Sequence, residues 1–152
     1  MLKHDISLYA PTVYPRLHVA AISLSYIIFF AASLAALLYL IQDSLIKNKR
    51  AGALSNRLPS LSFLDKLNYR SIGLGFPILT ISVVSGLIWA KNISGTYWPY
   101  YNLRQVYAMV LWSIYAVVLH VRLSEKLRGR KVALLSLLAF FIIVLSLFGN
   151  CP

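Results

Sequence analysis

Four long apolar stretches separated by short polar ones make up most of the chain. They run over about Leu17 to Ile41, Ile72 to Ala90, Val106 to Val121 and Val132 to Phe148, and none shows strand-like alternation. A hydrocarbon layer of about 30 Å takes roughly 20 apolar residues of helix to cross. Backbone N–H and C=O groups in lipid must be paired within their own segment, so runs of this length are expected to be spanning helices. The pattern predicts an all-α integral membrane bundle of four transmembrane helices, a single domain over residues 1–152, with an outer loop at 91–105. The first run is too long for the apolar region of a cleaved signal peptide, and no small-residue cleavage pattern follows it. "NKRAGALSNRLPS", Asn48 to Ser60, carries the helix breakers Gly52 and Pro59 and reads as a polar loop. Pro77 is expected to kink the second helix. "GLGFP", Gly73 to Pro77, lies inside an apolar run, where it lets a helix bend or pack and is no phosphate loop.

Composition supports the same class: 59% of residues are hydrophobic, 12% are charged, and the mean hydropathy is +0.72. The net charge of +11 raises the question of a nucleic-acid partner, which its distribution answers. Lys47, Lys49, Arg50, Arg57, Lys66 and Arg70 fall between the first two spans, and Arg122, Lys126, Arg128, Arg130 and Lys131 between the last two. Only Lys3, Arg16, Lys91 and Arg104 fall on the other side. The positive-inside rule then puts the two basic loops in the cytoplasm and both termini on the non-cytoplasmic side. The charge is explained by topology, with anionic lipid as a further partner of the basic loops. A nucleic-acid surface would interleave basic and aromatic residues, and here the two are at opposite ends of the spans.

The aromatic residues concentrate in "GTYWPYYNLRQVYAMVLW", Gly95 to Trp112, which starts outside the membrane and enters the third span. Trp and Tyr gather at membrane interfaces on general grounds, and an interfacial belt is the plain reading. Asn102, Arg104 and Gln105 are embedded in the cluster and Pro99 breaks the local helix, which suits a shaped outer platform for a flat apolar ligand such as a porphyrin or a quinone. Ionisable groups within spans are the second signal. His18 opens the first span and His120 closes the third; each is either a functional group or a neutral imidazole bonded to a neighbouring helix. Ala21 and Ser25 share the His18 side of its helix, and Ser113 and Ala116 precede His120, leaving room for a macrocycle or for close packing, as do Ala32 with Ala36 and Ser82 with Gly86. At 1.5 Å per residue, His120 lies on the order of 20 Å below the start of its helix. Two axial nitrogens of one metal must sit within about 4 Å, so these two histidines cannot share a metal inside one chain. His4, the remaining histidine, lies in a polar N-terminal segment expected to be flexible.

Several segments carry a family resemblance. "LPSLSFLDKLNYRSIGLGFPILTISVVSGLIWA", Leu58 to Ala90, resembles a segment of the cytochrome c assembly family, the CcsA and HemX-like integral membrane proteins. "RLHVAAISLSYIIFFAASLAALLYLIQ" resembles the family's histidine-led helix, and "WSIYAVVLHVRL" with "RGRKVALLSLLAF" resembles its next helix and loop. Order and spacing agree over most of residues 16–149. The resemblance implies haem as cofactor, with His18 as an outer haem ligand and His120 as ligand of a haem held within the membrane. It also implies that the aromatic loop, with Trp98, Tyr100, Tyr101 and Asn102, presents haem to apocytochrome c outside the cytoplasmic membrane. Counting back from Trp112, Tyr101 and Asn102 replace the family's Trp-Asp pair and Gln105 replaces a Glu, exchanging carboxylates for amides of similar shape. The family's further outer histidine would follow "LFGNCP", where this sequence stops, so the chain is similar to a truncated or split member.

Two function classes follow. One is haem binding and relay in cytochrome c biogenesis at the cytoplasmic (inner) membrane, by a multi-pass protein whose missing ligands come from another membrane subunit or a second copy. The other is a haem-free accessory subunit that stabilises a respiratory or assembly complex. An independent enzyme is the weaker expectation, because four acidic residues and no nucleophile and base pair leave little for catalysis. Cys151 is a single cysteine and forms no internal disulfide, and Asn92-Ile93-Ser94 matches a glycosylation sequon abutting the membrane.

Overall fold

A computed structural model describes residues 2–48, 58–97, 103–123 and 129–148, with side chains described from residue 13 and, in the later segments, over 105–123 and 129–145. It is all-helical: α1 spans Leu2–Lys47, α2 Leu61–Ser94, α3 Leu103–Leu123 and α4 Arg130–Phe148. Among the described residues, three stretches are long and apolar enough to cross a membrane: Val13–Lys47 in α1, Leu61–Ser94 in α2 and Gln105–Leu123 in α3.

Both long helices overrun the apolar stretches that announced them, because hydropathy marks only the part that lies in hydrocarbon. Asp43, Ser44 and Lys47 do not break a helix, and the Lys47 ammonium meets the Asp43 carboxylate one turn back at 2.9 Å. At the other end, the segment with His4 continues the same helix to Leu2. α2 starts eleven residues before its apolar run because Ser60 caps it, its hydroxyl accepting the Phe63 N–H at 3.3 Å. Lys66 and Arg70, counted with the loop from sequence, therefore stand on α2 itself. The helix ends at Gly95, whose φ of +74° is the left-handed conformation and whose N–H bonds to the Lys91 carbonyl at 2.9 Å. Pro77 sits within α2 without ending it.

Contacts fix the order of the bundle. Residues 18 and 32 of α1 meet residues 82 and 68 of α2 in turn, so the two run antiparallel. Thr80 and Asp65 of α2 meet Trp112 and Arg122 of α3. Phe30 and Asp43 of α1 meet Phe140 and Arg130 of α4. Helices alternate in direction, and the two basic connections lie at one end, the aromatic connection at the other.

Close approach is built from small residues. Ala32, Ala35, Ala36 and Gly75 are buried, and a Cβ at Gly75 would stand 2.6 Å from Cε1 of Phe29. Phe29 in turn stacks on Tyr115 at 3.8 Å and 8°, both fully buried, which joins α1, α2 and α3 in one apolar layer. One turn toward the basic end, Asn68 ties three helices. Its amide donates to the Ala32 carbonyl of α1 at 2.8 Å and to the Ser136 hydroxyl of α4 at 3.1 Å. At the basic end, Arg122 of α3 grips Asp65 of α2 by the carboxylate at 2.6 Å and the carbonyl at 3.1 Å, with its guanidinium over the Tyr69 ring.

Candidate functional site

The chemistry-bearing part of the structure sits where α1 and α2 cross near the aromatic end. His18 projects from α1 onto a strip of α2 made of Ser82, Gly86 and Trp89. Its Nδ1 lies 2.8 Å from the Ser82 carbonyl oxygen. A carbonyl only accepts, so Nδ1 carries the proton and a neutral ring keeps its lone pair on Nε2. The Ser82 hydroxyl lies 3.2 Å from the same Nδ1 and donates to the His18 carbonyl at 3.3 Å, so side chain and backbone are exchanged in both directions. Gly86 makes the approach possible, since a Cβ there would fall 2.8 Å from Nδ1 and 2.9 Å from Cε1. Trp89, three residues on, closes one side of the ring at 6.4 Å and 41°. Ser25 and Ala21, expected to leave space beside His18, are buried against the bundle, and the Ser25 hydroxyl bonds back to the Ile22 carbonyl.

Beside this crossing runs an apolar cavity of about 260 Å³, lined by Tyr14 and Leu17 of α1 and Thr80, Ile81, Val84, Ser85 and Ile88 of α2. The Ser85 hydroxyl bonds to the Ser82 carbonyl at 2.9 Å, the acceptor that also holds His18.

His120 is at the far end of the bundle. It is exposed on α3, on one stripe with Val106, Val110, Ser113 and Val117, and Arg122 two residues later meets Asp65. His18 is read at Ser82 and Arg122 at Asp65, 82 − 65 = 17 residues apart on α2, which is about 25 Å of helix. The two imidazoles therefore belong to separate places at different depths, as the depth argument from sequence required.

Trp98, Tyr100, Tyr101 and Asn102 lie outside the described residues. The neighbouring Tyr97 takes a hydrogen bond from Lys91 at 2.8 Å, and the same ammonium stands 4.3 Å from the ring centroid. Gln105 has its carbonyl oxygen buried with no hydrogen-bond partner among the described residues. Sequence reasoning noted Ser82 and Gly86 only as a small-residue pair and passed over Trp89. The signal that could have found them is their spacing: positions 82, 86 and 89 follow one face of a helix.

Comparison with known proteins decides the family. Residues 11–150 match the family model described as Cytochrome C assembly protein. The chain belongs to that family. Among the relatives of this cytochrome c assembly protein is the cytochrome c biogenesis protein CcsA of Guillardia theta, 31% identical over 148 residues, covering 88% of the chain and 49% of the relative. CcsA of Chlamydomonas reinhardtii is 35% identical over 133 residues, covering 88% and 36%. CcsA of Pyropia yezoensis is 38% identical over 95 residues, covering 62% and 30%. The chain thus spans about a third to a half of the length of the relatives it matches. No solved structure matches it significantly.

Proposed function

We propose that this assembly-family protein binds and relays haem for cytochrome c biogenesis. In this reading His18 would hold a haem at the aromatic end and His120 a second haem near the basic end, each through an imidazole nitrogen. Trp98, Tyr100, Tyr101 and Asn102 form the stacking surface from which apocytochrome c is supplied. One observation carries the reading: the Ser82 carbonyl accepts a hydrogen bond from His18 Nδ1–H, which leaves Nε2 as the lone-pair nitrogen that an iron porphyrin requires. Among the described residues there is no group of three or more His, Cys, Asp or Glu that could hold an ion. A bound haem supplies the iron and the vinyl groups for attachment to a thiol. The chain's own part is to hold one face of the ring and exclude lipid from it.

Each histidine would supply one ligand, and in this reading another membrane subunit or a second copy supplies the other; the α2 residues met by His18 and by Arg122, two positions after His120, lie about 25 Å apart along the helix. Under this reading α4 is a fourth span in the cytoplasmic (inner) membrane. Both termini and the aromatic loop are then non-cytoplasmic, and the basic loops lie against anionic lipid in the cytoplasm.

The alternative is a haem-free accessory subunit that stabilises a respiratory or assembly complex. It draws on the same clasp, since a histidine bonded across two helices is also a structural joint. Absorbance of the protein purified with its native partners separates the two. A Soret band that falls by about half in His18→Ala and in His120→Ala, and vanishes in the double variant, is the expected result. A folded wild-type preparation without that band refutes the haem reading.

A further inference from the structure

We infer that Ser82 and Gly86 of α2 are positioning residues that fix the tautomer and plane of the His18 ring, so that Nε2 is the nitrogen offered to iron. The inference rests on the haem reading for its purpose and on α2 geometry for its content. A free imidazole divides its proton between two nitrogens and turns about two torsions. Here three contacts remove that freedom. The Ser82 carbonyl, at 2.8 Å, holds the proton on Nδ1. The Ser82 hydroxyl, fully buried, joins the backbone of α1 at His18 to α2, so the helix that carries the ring cannot slide relative to its acceptor. Gly86 supplies the floor: the Nδ1–Cε1 edge lies directly on backbone, at a separation where any side chain would collide.

The same carbonyl accepts the Ser85 hydroxyl at 2.9 Å, so it is shared between side chains, and the imidazole bond depends on the ring staying close. Position 86 therefore decides the geometry. A methyl there displaces the ring by several tenths of an ångström at the least, and the bond that selects the tautomer lengthens past useful range. Ser82→Ala is the milder change. It keeps the carbonyl and the space, and loses the reciprocal bond between helices together with the hydroxyl's 3.2 Å contact with Nδ1. Outer-sphere partners of this kind alter metal affinity by about ten- to a hundredfold when removed.

The test has one arm without haem and one with it. In haem-free protein labelled with 15N-histidine and held in nanodiscs, the His18 resonances, assigned by their loss in His18→Ala, are expected to show a protonated Nδ1 and an unprotonated Nε2. Gly86→Ala is expected to give the reverse tautomer or a mixture. A wild-type ring protonated on Nε2 overturns the inference outright, and the His18→Ala variant serves only to assign the resonances. In haemin titrations on a His120→Ala background, which isolates the His18 site, Gly86→Ala is expected to weaken binding by about ten- to a hundredfold and Ser82→Ala by less. Equal affinity and equal spectra in wild type and Gly86→Ala overturn the positioning role while leaving haem binding intact. A wild type with the expected tautomer but no haem binding instead refutes the haem reading and leaves the ring geometry standing.

Discussion

Replacing Asn68 by leucine tests what holds α4 to the rest of the bundle. Asn68 is 3% exposed, and its amide group reaches two other helices: the Ala32 carbonyl at 2.8 Å and the Ser136 hydroxyl at 3.1 Å, with the Ser136 hydroxyl also 3.3 Å from Oδ1. Leucine is close in volume, so the cavity contribution is small. It also leaves few orphans, because Ser136 keeps a bond to the Val132 carbonyl at 3.0 Å. The change therefore isolates the loss of two interhelical contacts. At about 0.6 kcal/mol each on average, and up to about 1.7 for the strongest, the cost is about 1–2 kcal/mol. Unfolding in mixed micelles by rising SDS fraction, followed by helical circular dichroism, measures it directly. Ser136→Ala in both backgrounds should give a coupling of about 0.5–1 kcal/mol. Asn68→Leu as stable as wild type, or a cycle that closes to zero, would show that apolar packing alone seats α4 and that the buried amide is incidental.

Two further changes follow from the packing. Gly75→Ala pushes a methyl to 2.6 Å from the Phe29 ring, which cannot retreat because Tyr115 is stacked behind it, so a loss of about 1–3 kcal/mol is expected by the same assay. Phe29→Leu in that background should recover part of it. Asp65→Asn leaves Arg122, with only 8% of its side chain exposed, without its anion. Fully buried pairs lose about 3–5 kcal/mol on such a change, and the 28% exposure of Asp65 reduces this to about 2–4. Replacing both by apolar residues of similar size should restore most of the stability, and failure to do so would mean the pair is not isolated from its surroundings.

How much of this was readable in the sequence depends on the range of the interaction. Helix number and order were visible because lipid imposes long uninterrupted apolar runs, and the separation of His18 from His120 followed from helical rise alone. The helix ends were not, since the Ser60 cap and the Lys47–Asp43 pair lie outside hydrocarbon, where hydropathy carries no signal. The placement of Lys66 and Arg70 was misjudged for the same reason. The partners of His18 were hidden differently. A carbonyl bond has no side-chain signature, and Gly86 looks the same in sequence whether it admits a helix, a ring or nothing. Asn68 and Arg122 find partners 68 and 57 residues away, distances at which periodicity is silent.

Because Ser82, Gly86 and Trp89 all lie on the helix that directly follows the one bearing His18, the imidazole seat needs only two consecutive transmembrane passes. A ribosome that has delivered the chain through Trp89 into the bilayer has already supplied every described group touching that ring. No α3 residue is among the described contacts of that ring, and α3 is the least buried of the three helices long and apolar enough to cross a membrane. Assembly of the nitrogen donor is in this sense local, and mutations in α3 or α4 should degrade it only through the stability of the whole.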